Sequence, residues 1–172
     1  MKLNAVISAN LATCIYAQAI NTREVFSRDA AGSFTELGQN VGQLDQAIKT
    51  FSGDTAPMLG AAGSVAASLQ KTKADLDAAG SLGNLFAIAS PLMTINTNSK
   101  AVVADLKTRK PDIEKAGACS AVRDKIGAIN TNSESLMGSM VQKEPKAGKA
   151  AKYVKDMLDD IATQFSPENC KN

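Results

Sequence analysis

The sequence predicts an all-α fold, a single-domain bundle of about five amphipathic helices stapled by one disulfide. Five successive stretches place an apolar residue every three then four positions, and none alternates apolar and polar residues as a half-buried strand does. At 172 residues and 44% hydrophobic content the chain is long enough and apolar enough for one core.

The first stripe is Phe34, Leu37, Val41, Leu44, Ile48 and Phe51, which 3.6 residues per turn gathers on one helix face. Ser33 and Glu36 form a capping box that starts this helix, and Ser52-Gly53 ends it. The second stripe is Met58, Ala62, Val65, Leu69, Thr72 and Leu76, punctuated by Ala79-Gly80, Ser81 and Gly83. The third, Leu85, Ile88, Leu92, Ile95, Ser99, Val102 and Leu106, keeps phase across Ser90-Pro91. Proline suits a first turn and disrupts an interior, so a break is predicted, with the longer helix starting at Pro91. Lys110-Pro111 and Gly117 bracket a short helical turn. The fourth stripe is Val122, Ile126, Ile129, Ser133, Leu136 and Met140; Glu144-Pro145 turns the chain into the fifth, Ala147, Ala150, Val154, Met157 or Leu158, Ile161 and Phe165.

Residues 1–19 read as a secretory signal: Lys2, a mildly apolar run from Ala5 to Tyr16, and the small-x-small triplet Ala17-Gln18-Ala19. The alternative is an amphipathic first helix of a cytosolic protein. Residues 20–32 form a polar lead-in with a short helix around Arg23 to Ala31, and 33–172 form the bundle domain. Cleavage after Ala19 removes Cys14 and leaves Cys119 and Cys170, an even pair. A helix from Cys119 to Gln142, a turn, and a returning helix from Lys146 to Phe165 bring Cys170 back beside Cys119. A disulfide there closes a loop of about 50 residues and contributes on the order of 4 kcal/mol through the unfolded state. No later stretch is long and apolar enough to span a bilayer. The expected location is therefore outside the cell, in the medium or the cell wall.

Histidine is absent, which removes the commonest general base, metal ligand and nucleophile partner together. The expectation is a protein that is not an enzyme and uses no cofactor and no metal. Carboxylates and lysines fall between the stripes, as on a solvated face. Lys143, Lys146, Lys149, Lys152 and Lys155 are spaced as the solvent side around a helix start, a cluster that could also meet anionic lipid or cell-wall glycan. With no basic block interleaved with aromatics, nucleic acid is not an expected partner.

Aromatic content is only 4%, with no Trp, so the core must be built mostly from Leu, Ile, Val, Met and Ala. Small residues either let helices approach closely or leave an apolar void wide enough for a lipid chain.

One set of motifs points to a family. Leu44-Asp45-Gln46-Ala47-Ile48 and Phe51-Ser52-Gly53-Asp54 are followed by Ala101-Val102-Val103-Ala104-Asp105-Leu106-Lys107, Ile113-Glu114-Lys115-Ala116-Gly117 and Lys143-Glu144-Pro145. In this order, from Ser33 to Phe165, the chain resembles the fungal hydrophobic surface binding protein A family, which includes the cell wall mannoprotein 1-like proteins. The resemblance implies a secreted helical bundle that binds hydrophobic material without catalysis. In some relatives the ligand is a fatty acid in an internal apolar tunnel; in others it is a hydrophobic solid surface to which a secreted hydrolase is recruited. A Ser/Thr-rich stalk, an apolar carboxy-terminal tail and any Asn-x-Ser/Thr acceptor are missing, which disfavours wall anchoring and N-glycosylation. The Cys119 and Cys170 pair matches nothing in the family core.

If a fatty acid or other amphiphilic lipid is held inside, mid-helix stripe positions form its wall: Leu44, Ile48, Val65, Leu69, Leu92, Ile95, Val102, Ile126, Ile129, Leu136, Val154 and Leu158. The same residues serve equally as plain core. Thr72, Ser99 and Ser133 interrupt the stripes where an apolar residue is due, and are candidates for the ligand headgroup. A helical hydroxyl also commonly bonds the carbonyl one turn back. Lipid carrier is the first functional reading, surface-active adhesion or recruitment protein the second, and inhibitor or scaffold for another protein a third.

Overall fold

A computed structural model describes residues 30–79 and 85–172, with the side chains of 85–87 left aside. Residues 1–19, including Cys14, most of the lead-in and the Gly80 to Gly83 punctuation lie outside the described residues. The described residues form five α-helices and no strand: α1 at 30–49, α2 Ala56–Ala78, α3 Leu85–Lys115, α4 Cys119–Lys143 and α5 Gly148–Gln164. A 3-10 turn, Pro145–Ala147, joins α4 to α5.

Three boundaries differ from those the sequence suggested. Residues 30–32 are already helical and Ala30 is buried, so Ser33 does not cap α1. Its side chain bonds across to α2 instead, accepting from Lys71 Nζ at 2.9 Å and donating to the Asp75 carboxylate. Glu36 pairs with Lys71 at 3.2 Å rather than reaching back along its own helix.

Pro91 and Pro111 both lie inside α3, which runs unbroken to Lys115. An interior proline costs about 3 kcal/mol. The helix persists because Ile88, on one side of Pro91, and Val102 and Leu106, on the other, bury in the same core, and a break would lose that phase. The separate turn expected between Lys110 and Gly117 is the end of this helix, and Gly117 at φ +66° makes the left-handed step into α4.

The helices close into a ring in the order α1, α2, α4, α5, α3 and back to α1. Contacts across each seam fix this order. Between α1 and α2, the Thr72 hydroxyl donates to the Ser33 carbonyl at 3.2 Å. Asn132 of α4 donates to the Ala66 carbonyl of α2 at 3.1 Å. Lys155 of α5 meets Glu134 of α4 at 2.7 Å, and Lys107 of α3 meets Asp160 of α5 at 2.6 Å. The ring closes where Asn98 of α3 donates to the Gly38 carbonyl of α1 at 3.0 Å. The approach there is close at one glycine: a Cβ on Gly42 would stand 3.1 Å from the Asn98 amide nitrogen and push it by a few tenths of an ångström, whereas one on Gly38 would make an ordinary contact with Ile95 at 3.5 Å.

One end of the ring is stapled. Cys119 and Cys170 form the disulfide, with Cα atoms 5.6 Å apart. Around it Ile113, Phe165 and both cysteines are almost fully buried. Arg123 ties the tail down, its Nε donating to the Phe165 carbonyl at 2.6 Å and its Nη2 to the Cys170 carbonyl at 3.1 Å.

Candidate functional site: an apolar cavity inside the helix ring

Five stripes facing inward round a ring cannot all touch. Side chains as short as Ala150, Ala151 and Val154 on α5 do not reach across to Val65 and Leu69 on α2, and a cavity of about 590 Å³ remains. That volume falls within the range of small-molecule sites, roughly 300–1,000 Å³. All five helices contribute to its wall.

Of the wall residues proposed from sequence, Leu44, Val65, Leu69, Leu92, Ile95, Val102, Ile126, Ile129, Leu136, Val154 and Leu158 all line this cavity. Ile48 does not. It is fully buried near the stapled end, where the ring is packed solid. Among the headgroup candidates, Ser99 and Ser133 line the cavity. Thr72 is a correction: it is fully buried in the seam between α1 and α2, and its hydroxyl satisfies the Ser33 carbonyl. The polar residue kept phase with the stripe because the neighbouring helix supplies an acceptor there.

Several lining residues escaped the sequence reading: Met93, Asn96, Lys125, Met137 and Tyr153 among them. Their signal was a second line beside each stripe. Met93, Asn96, Lys100, Val103 and Lys107 run at three-then-four spacing along α3, the edge that faces α5. A single stripe per helix was too narrow for a cavity wall. Unbranched methionine also suits an irregular apolar surface, because three rotatable bonds let it fill gaps of varied shape.

Two large lining side chains, Met93 on α3 and Tyr153 on α5, carry the cavity wall out to solvent, being 72% and 49% exposed. α5 places its apolar residues on one inward face, yet only Ile161 is fully buried, since the face borders space rather than side chains.

Shifted ionisable groups lie on the outer faces. Glu36 first and Asp75 second hold the Lys71 ammonium above its ordinary pKa, and Glu134 then Asp159 do the same for Lys155. The Lys73 ammonium, then the Ser139 hydroxyl, holds the Asp77 carboxyl below the usual range. One charge breaks the expectation of solvated faces. Asp45 is buried, pairs with Lys49 at 2.5 Å, and has Oδ1 without a hydrogen-bond partner. Among the described residues the single grouping of metal-ligand types is Glu114 with Cys119 and Cys170, whose sulfurs are committed to the disulfide. No helix among the described residues is long and apolar enough to cross a membrane.

Fold and site together define a helical bundle with a hollow, apolar interior. Residues 28–142, about two thirds of the chain, match hydrophobic surface binding protein A, and the chain belongs to that family. The match stops within α4, so α5 and Cys170, one wall of the cavity and half of the staple, lie beyond it. No curated protein and no solved structure matches the chain.

Proposed function

We propose that this is a secreted, non-enzymatic lipid-binding protein that holds fatty acids or similar amphiphiles inside the helix ring. The observation that carries the reading is the cavity of about 590 Å³, walled by apolar side chains from every helix. Moving each methylene of an acyl chain from water into such a site is worth about 0.8 kcal/mol. A long chain therefore reaches micromolar affinity even after the ordering costs of binding. The family's own description, hydrophobic surface binding, supports an affinity for apolar material in general. Secretion is supported by the leader-like first 19 residues and by the disulfide, a bond that persists in oxidising compartments.

Native mass spectrometry of the protein purified from its own culture medium tests this directly, with a co-purifying lipid expected. Leu69→Trp or Ile129→Trp should fill the cavity and abolish binding of long-chain fatty acid while the protein still folds. Unchanged binding in a folded variant refutes an interior site.

A second reading, adsorption to waxes, polyesters or other hydrophobic solids with recruitment of a hydrolase, is favoured by the family description and by exposed Met93 and Tyr153. Adsorption that continues past one ligand per chain, with no lipid held in solution, selects it.

A further inference from the structure

We propose that the ligand is an anionic amphiphile that enters tail first between α3 and α5 and leaves its charged head at a lysine rim made by Lys100, Lys146 and Lys149, an inference that rests on the cavity reading above. The seam itself points to the port. Lys107 and Asp160 close it toward the stapled end at 2.6 Å. Seven residues earlier on each helix, the Lys100 ammonium lies 5.5 Å from the Tyr153 ring centre. The same offset carried one turn further sets Asn96 opposite Lys149, and Lys146 follows in the 3-10 turn that leads into α5. The α1–α3 and α2–α4 seams each carry an asparagine bonded to a main-chain carbonyl of the facing helix. Among the described residues the α3–α5 seam has no such bond, and beyond Lys107 the one ion-pair or cation–π contact across it is that of Lys100 with Tyr153. Met93 and Tyr153 flank that stretch, exposed and lining the cavity.

The rim is cationic for a reason visible in the pairing of its lysines. Lys152 and Lys155 are neutralised by Asp156, Glu134 and Asp159. Lys100, Lys146 and Lys149 form no ion pair among the described residues. The nearest acid in sequence, Glu144, accepts from the Lys146 main-chain N–H with Oε1 at 3.2 Å and forms no ion pair with the three lysines. An ionised head drawn into the apolar interior would lose its hydration at a cost the wall does not repay. At the mouth it keeps part of its water and meets the three ammonium groups. A neutral head gains nothing there, and a cationic head is repelled.

The test compares binding of dodecanoate, dodecanol and dodecyltrimethylammonium, below their aggregation concentrations, to the mature protein and to the triple variant Lys100→Gln, Lys146→Gln, Lys149→Gln. The wild type should favour dodecanoate over dodecanol roughly tenfold, as three partly screened contacts allow. Dodecyltrimethylammonium should bind weakest. In the variant the two preferences should collapse with dodecanol affinity unchanged. Equal affinities in the wild type, or an undiminished preference in the variant, overturn the rim and leave the cavity standing. Failure of all three probes to bind removes the cavity reading and the rim with it. The port has its own measurement: in a chain carrying Asn96→Cys and Lys149→Cys, bridging the new thiols with a short bis-maleimide should slow dodecanol uptake at least tenfold. An unchanged rate places the entrance elsewhere.

Discussion

Where α3 hands over to α4, Ile113, Cys119, Phe165 and Cys170 leave almost no surface to solvent, and a disulfide and the Arg123 clamp hold the carboxy-terminal tail across them. From Val122 and Ile161, about a turn from the staple, toward the opposite end the same helices surround a cavity, Met93 and Tyr153 stand open to solvent, and seam contacts include Thr72 on Ser33, Lys71 on Glu36 and Asn40 on Ser68. The difference is one of covalent constraint against packing. A ring closed by a staple at one end can leave its interior unfilled at the other, because the unfolded chain has already lost loop entropy to the cross-link. The staple and the exposed side of the cavity thereby lie toward different ends of one bundle.

The largest effect should come from removing the staple. Cys119→Ser with Cys170→Ser, a pair 51 residues apart in sequence, should lower unfolding free energy by about 4 kcal/mol in urea titration. A loss near zero would mean that packing alone holds that end. Truncation should then sort by position. Ile113→Ala, at a fully buried site, should cost roughly 2–5 kcal/mol, and Met157→Ala, on the cavity wall, well under that, because atoms facing empty space have fewer partners to lose. Equal costs would break the distinction between the ends.

Thr72→Val should cost about 1 kcal/mol, the net worth of its hydrogen bond to Ser33. Smallest of all is the acid limb. Asp77 has a lowered pKa in the folded protein, so its contribution is complete above the ordinary carboxylate range and is lost as pH falls through the depressed value. Asp77→Asn should flatten that part of the stability-versus-pH curve by lowering stability slightly at neutral pH and leaving the acid end unchanged.

Much of the bundle is legible in the residues. Spacing alone puts Leu44, Val65, Ile126 and Val154 on inward faces, since a helix fixes which side chains share a face. The lengths of two helices and one turn pair Cys119 with Cys170. The misreadings have a common origin. Ser33 resembles a cap and Thr72 a headgroup candidate because their partners, Lys71, Asp75 and the Ser33 carbonyl, lie on another helix. Pro91 resembles a break because the local cost of proline is readable and the burial that outweighs it is not.

The sequence by itself determined that this chain is helical, that each helix has an apolar face, and that two cysteines could meet. Periodicity and segment length are local properties, and they survive without knowledge of neighbours. Only the tertiary structure decided the ring order and the cavity. Those depend on how side chains of different helices fill or fail to fill a shared space, and no single stripe carries that information. Ile48 and Leu44, one turn apart on the same face, show the limit: Ile48 is packed solid near the staple, whereas Leu44 borders the cavity.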